Sequence, residues 1–153
     1  MPTNAAQGAA DSAPVYADLI RQAFEAREGA YVPYSGFMVG AALLTKSGKV
    51  YTGGNIENAA YTPSNCAERT AFFKAVSEGE RKFAAIAVVG GMKGTTAESF
   101  AWCFPCGVCR QIMAEFCGDD FVVLVAKSPE EYRQYSFGEL FPEPFGPKDL
   151  DQV

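Results

Sequence analysis

The chain contains no histidine. That absence removes Ser-His-Asp and Cys-His nucleophiles, metal sites of the H-E-x-x-H kind and every imidazole acid or base. A proton shuttle here has to be a carboxylate, a lysine, a tyrosine or a thiol. Positive charge is also scarce: 13 Lys plus Arg stand against 18 Asp plus Glu, for a formal net charge of -5. Such a chain lacks the basic footprint that neutralises phosphates, so no nucleic-acid partner is expected. No apolar stretch approaches the ~20 residues of a membrane span, and no membrane partner is expected. Met1 to Pro14 hold no Lys, no Arg and no apolar run, so they read as neither a secretory signal nor a transit peptide. Cysteines are present, but their number is odd, five, which argues against a secreted disulfide framework and for reduced thiols in the cytoplasm.

What is there suits one domain. A chain of 153 residues, 48% of them apolar, is long enough to bury a core without staples. Residues 1–13 read as a small-residue tail and 14–153 as the domain. From Ser12 to Arg27, Val15, Tyr16, Leu19, Ile20, Ala23 and Phe24 recur at helical spacing. Phe37 to Thr45 and Val50 to Thr52 flank the turn Ser47-Gly48 and predict a hairpin, which Gly53-Gly54 is expected to break. A helix is predicted over Cys66 to Glu78, and a buried parallel strand over Phe83 to Val89, bounded by Gly90-Gly91. Pro105 opens a third helix that ends near Gly118, Phe121 to Ala126 repeats the buried strand, and Tyr132 to Phe137 suits an edge. The tail from Phe141 to Leu150 is expected to end in a helical turn. The pattern predicts an α/β layered domain with a mixed sheet, without internal repeats or a second domain.

The cysteines carry the chemistry. Cys66 and the pair Cys106 and Cys109 fall at the starts of two predicted helices, where partial positive charge and unpaired N–H groups favour the thiolate that a metal requires. Three thiolates leave the fourth tetrahedral position of a zinc ion for water, as in a catalytic rather than a structural site. The plain alternative is that a buried cysteine is a small hydrophobe, and Cys117 is read that way. A Cys-x-x-Cys pair also suits a redox dithiol or half of a structural zinc site. An iron–sulfur reading of Cys103-x-x-Cys106-x-x-Cys109 meets Met113 where its fourth cysteine belongs. Glu68, two residues after Cys66, shares a site with it only over the helix end. On spacing alone it serves equally well as a first-turn glutamate complementing the helix dipole.

The segments Val32-Pro-Tyr-Ser-Gly-Phe37, Asn55-Ile-Glu-Asn-Ala-Ala-Tyr61, Cys66-Ala-Glu-Arg-Thr70, Pro105-Cys-Gly-Val-Cys-Arg-Gln111 and Phe145-Gly-Pro-Lys-Asp-Leu150 resemble those of homotetrameric cytidine deaminases. The resemblance spans roughly residues 15 to 150, with the motifs in the family's order. It implies a three-layer α-β-α fold with a five-stranded mixed sheet, a homotetramer, and hydrolytic deamination of free cytidine and 2'-deoxycytidine in pyrimidine salvage. It also implies that Cys66, Cys106 and Cys109 bind one zinc ion per chain. Glu68 is then the proton shuttle, taking a proton from water and delivering it to N3 of cytosine as ammonia leaves. Arg69 is implied to donate hydrogen bonds to the ligand sulfurs, offsetting the net negative charge of three thiolates on Zn²⁺. For the nucleoside, the resemblance assigns Asn55 and Glu57 to the ribose hydroxyls, Phe37 to the face of the base and the backbone of Ala67 to its edge. Tyr34, Tyr61 and Phe145 line or close the pocket, the last two from a neighbouring subunit.

Three features depart from the family pattern. Phe104 stands where members often carry a small polar residue, Cys103 is an extra thiol, and the Gly90 to Trp102 connection is longer than usual. Three rival functions suit the sequence less well. A non-catalytic zinc module needs a fourth protein ligand. A deaminase of an aminonucleoside antibiotic resembles this chain less at Asn55-Ile-Glu57, and a nucleic-acid editor carries His-x-Glu and a basic groove.

Overall fold

A computed structural model describes residues 12–150. Its elements run α1 (Ala13–Arg27), β1 (Phe37–Thr45), β2 (Val50–Gly54), α2 (Ala67–Ser77), β3 (Phe83–Met92), α3 (Gly107–Phe116), β4 (Val122–Ala126), β5 (Tyr132–Ser136) and the one-turn α4 (Phe137–Leu140). Short 3-10 turns stand at Ala97–Ser99 and Pro147–Leu150, the latter in the tail where a helical turn was expected. Helix α1 begins at Ala13, one residue before the expected domain boundary. The remainder of the expected tail, 1–11, lies outside the described residues.

The sheet has the order β2-β1-β3-β4-β5. β1 is antiparallel to both β2 and β3, β3 is parallel to β4, and β4 is antiparallel to the edge strand β5. The sheet is therefore mixed, and β3 is parallel to only one of its neighbours. Alternation along the strands divides the core in two. Leu19, Ile20 and Ala23 of α1 pack on Ala42, Ala87, Val89 and Leu124. Ala71 and Phe72 of α2 and Met113 of α3 pack on Ala41, Leu43, Ile86, Val88 and Val123 on the other face. The result is a three-layer α-β-α domain, with α1 alone on one side.

The glycine pairs correct the strand boundaries expected from sequence. β2 continues through Gly53 and Gly54, and β3 continues through Gly90 and Gly91 to Met92. These glycines are places of close approach rather than breaks. A Cβ on Gly53 would stand 2.6 Å from the Ala67 carbonyl oxygen and 2.7 Å from the Ala71 nitrogen. A Cβ on the next residue, Gly54, would meet the Ala26 carbonyl of α1 at 3.1 Å from the opposite face. The bare pair lets helices press on β2 from both sides, and it brings the first turn of α2 against the sheet.

Candidate active site

The first turns of α2 and α3 define the site. Cys66 and Cys106 are N-cap residues with extended backbone (φ -73°, ψ 156° and φ -70°, ψ 168°), so each helix starts just after its cysteine. Neither side chain caps its own helix, which leaves both thiols to point at each other. Cys66 Sγ lies 3.7 Å from Cys106 Sγ, which lies 3.6 Å from Cys109 Sγ. A tetrahedral zinc with Zn–S bonds of about 2.3 Å requires sulfur–sulfur edges of roughly 3.8 Å. Among the described residues this is the cluster of three or more His, Cys, Asp or Glu side chains that could hold a metal ion. Cys103 is not part of it, and burial pushes its thiol up to about 12. It therefore stays neutral.

Charge in the metal-free cluster collects on Cys66. Its pKa is lowered to about 5, first by the hydrogen bond from the Cys109 thiol and then by Arg69, whose Nη2 donates to Cys66 Sγ at 3.4 Å. Cys109, 1% exposed and facing Cys66 and Glu68, is pushed up instead. The Nε of Arg69 is buried without a partner among the described residues. An orphaned cationic donor beside sulfur suits a centre whose ligands carry excess negative charge.

Glu68 stands in the first turn of α2 and is 3% exposed. Its Oε2 accepts from Cys109 Sγ at 3.5 Å. Burial raises its pKa to about 7, with the Cys66 charge acting in the same direction. A carboxyl group poised near neutrality beside three thiols both accepts and returns a proton at working pH.

The residues expected at the substrate gather around β1 and the loop before α2. Phe37 opens β1 and is 38% exposed. Ala67, first residue of α2, is fully buried. Glu57 accepts from the backbone nitrogen and the hydroxyl of Ser35, the latter at 2.7 Å. Asn55 has its Oδ1 on the Val39 amide and its Nδ2 on the Phe37 carbonyl, each at 2.8 Å. Half of its hydrogen-bonding capacity therefore holds β1, and one N–H and one lone pair remain. Tyr34 and Tyr61 meet edge to face at 5.9 Å. Tyr61 has a left-handed backbone (φ 59°) that projects an exposed ring, and Phe145 is likewise exposed.

Four supporting residues escaped the sequence reading. Ser35 braces Glu57. Arg110 Nε donates to the Pro105 carbonyl at 2.8 Å and its Nη1 to the Leu140 carbonyl, and Gln111 Nε2 donates to the Phe145 carbonyl at 2.8 Å. These two join the tail to the metal-binding helix α3. Arg27 is buried behind β1. Arg27, Arg110 and Gln111 donate mainly to backbone carbonyls, and Ser35 meets Glu57 only across 22 residues of chain, so local spacing does not assign these side chains their partners.

A mixed sheet whose two helix starts bring three thiols and a buried carboxyl group together defines a candidate metal centre with an acid–base group at its side. The matched family is more particular: residues 15–125 match the cytidine and deoxycytidylate deaminase zinc-binding region, and the chain belongs to that family. It is 50% identical over 133 residues to the cytidine deaminase of Halalkalibacterium halodurans, covering 87% of this chain and 96% of that one. It is 48% identical over 132 residues to the cytidine deaminase of Sporosarcina psychrophila, covering 86% and 92%. The crystal structure of cytidine deaminase from Burkholderia pseudomallei superposes with a TM-score of 0.74 at 48% identity, covering 84% of this chain and 97% of that one. Zinc is the metal of this family, and the Cys66, Cys106 and Cys109 cluster fits it.

Proposed function

We propose that the protein hydrolyses free cytidine and 2'-deoxycytidine to uridine and 2'-deoxyuridine with release of ammonia, as a pyrimidine-salvage enzyme. The observation that carries this reading is Glu68, a buried carboxyl group 3.5 Å from the Cys109 sulfur and beside the three-cysteine cluster. Cys66, Cys106 and Cys109 hold the zinc ion, which when bound supplies hydroxide near neutral pH. Glu68 takes the proton that water gives up and passes it to N3 of cytosine, so that C4 becomes electrophilic. As hydroxide adds to C4, Glu68, again a carboxylate, takes the proton of the new C4 hydroxyl and delivers it to the amine, so that the C4–N4 bond breaks, ammonia leaves and the C4 carbonyl of uracil forms. Phe37 covers the base, and the backbone of Ala67 meets its edge. The free N–H of the Asn55 amide donates to the ribose hydroxyls, and the Glu57 carboxylate accepts from them. Arg69 offsets the charge of the thiolates.

The pocket is completed between subunits of a homotetramer, with Tyr61 and Phe145 reaching into a neighbour's site. Their exposure, 72% and 63% in the single chain, supports that role. The acidic net charge of -5 favours a free nucleoside over nucleic acid. No described helix is long and apolar enough to cross a membrane, and the reduced thiols suit the cytoplasm. The test is loss of cytosine absorbance with cytidine, deoxycytidine and cytosine, comparing zinc-loaded wild type with Glu68→Ala. Turnover of both nucleosides by the wild type and its loss in the variant are expected. Cytidine left intact by zinc-loaded wild type sinks the reading.

A further inference from the structure

Arg27 is a buried charge that none of the chemistry above uses. Its side chain is 6% exposed. Nε donates to the Met38 carbonyl at 3.0 Å, and Nη2 donates to the Gly91 and Met92 carbonyls, both at 2.9 Å. Nη1 meets the exposed carboxylate of Glu28 at 3.2 Å. The Phe100 ring covers the guanidinium at 4.9 Å, and Phe24 braces that ring edge-on at 5.1 Å. Gly40 admits the arginine: a Cβ there would stand 2.6 Å from the Arg27 nitrogen and 2.8 Å from its Cβ. A buried guanidinium is tolerated only where acceptors meet its fixed fork of donors, so the carbonyls it grips are held in place in turn.

Those carbonyls surround one residue. Met38 follows Phe37, and in the β1–β3 ladder Phe37 pairs with Met92 and Met38 with Gly91. The Phe37 carbonyl is held from the other side by Asn55, and the Lys93 nitrogen donates to the Gly36 carbonyl just before it at 2.7 Å. The backbone that aims the Phe37 ring is thus clamped between Asn55 and Arg27. Phe100, in the long connection after β3, supplies the cover over the clamp.

We propose that Arg27 is a positioning residue for substrate binding, acting through the ends of β1 and β3 to hold Phe37 where it receives the pyrimidine ring. The inference rests on the assignment of Phe37 to the base. Arg27 touches neither substrate nor metal, so its loss weakens binding and leaves the metal centre and the proton shuttle intact.

In zinc-loaded Arg27→Lys, KM for cytidine is expected to rise about tenfold, with kcat within about threefold of wild type and one zinc retained per chain. Hydrogen exchange of the amides at 36–40 speeds up, while α2 keeps its protection. The effect runs through Phe37, so Arg27→Lys adds little to the KM of Phe37→Leu, whereas an independent structural defect multiplies it. Phe100→Leu removes the cover but keeps the hydrogen bonds. It gives a smaller rise in KM and carries the test if the lysine variant does not fold. Multiplicative effects in the double variant, unchanged exchange at 36–40, or loss of zinc at constant KM overturns the inference. A wild type that leaves cytidine intact refutes the functional reading instead, which keeps the two failures distinct.

Discussion

The thiols of Cys103 and Cys106 stand three positions apart in sequence, yet only the latter joins the cluster with Cys66 and Cys109. Cys103→Ser should keep one zinc per chain and Cys106→Ser should lose it, as metal analysis of the two purified variants will read. Glu68 makes a second prediction, with a definite sign. In the metal-free protein burial raises its pKa from 4.5 to about 7. The folded state therefore keeps a proton that the unfolded chain has already released. That contribution to stability is complete below pH 4.5 and is lost as pH rises to about 7. Across that interval Glu68 costs up to roughly 3 kcal/mol. Glu68→Gln should abolish this fall in denaturant titrations of metal-free protein while removing turnover; an unchanged pH slope would contradict it. The cysteine spacing was visible in the sequence, whereas spacing alone left Glu68 open between a dipole-complementing glutamate and a proton shuttle, and the family resemblance favoured the shuttle. Burial of the carboxyl group and its 3.5 Å contact with the Cys109 sulfur support the shuttle, and both depend on β2 and α3, far away along the chain.

At the scale of elements, helical and strand periodicity located α1, the hairpin, both long core helices and the edge strand to within a few residues. The errors fall on glycine. Gly53-Gly54 and Gly90-Gly91 read locally as breakers, but they lie inside β2 and β3 because a helix, a side chain or an aromatic ring needs the space that a Cβ would fill. Local pattern cannot tell a glycine that ends a strand from one that admits a neighbour. Gly53→Ala is therefore expected to push the first turn of α2 off the sheet. It should destabilise the protein by about 1–3 kcal/mol and weaken zinc retention, since Cys66 caps that helix. Thermal unfolding together with zinc content checks this, and a variant as stable as wild type would show the contact to be compliant.

At the scale of the whole molecule, the aromatic residues Tyr34, Tyr61 and Phe145 lie exposed instead of within the core. The proposed tetramer, with sites shared between chains, would account for that cost in exposed apolar surface. Sedimentation should find four chains per particle. Phe145→Ala should raise KM for cytidine about tenfold while zinc content stays at one per chain; a monomer with full activity would refute the shared site. The sequence placed Cys66, Cys106 and Cys109 at helix starts, and the family resemblance made them zinc ligands, because residue type and helix-start position are local properties; their convergence across forty residues belongs to the fold. The missing histidine determined equally directly that the proton shuttle is not an imidazole. Only the tertiary structure decided that Glu68 is buried near neutrality, that Asn55 spends half its amide on β1, and that Arg27 grips the strand ends behind Phe37. Those facts depend on contacts between residues distant in sequence, and neither burial nor a carbonyl acceptor leaves a mark on the residue's own neighbourhood in the chain.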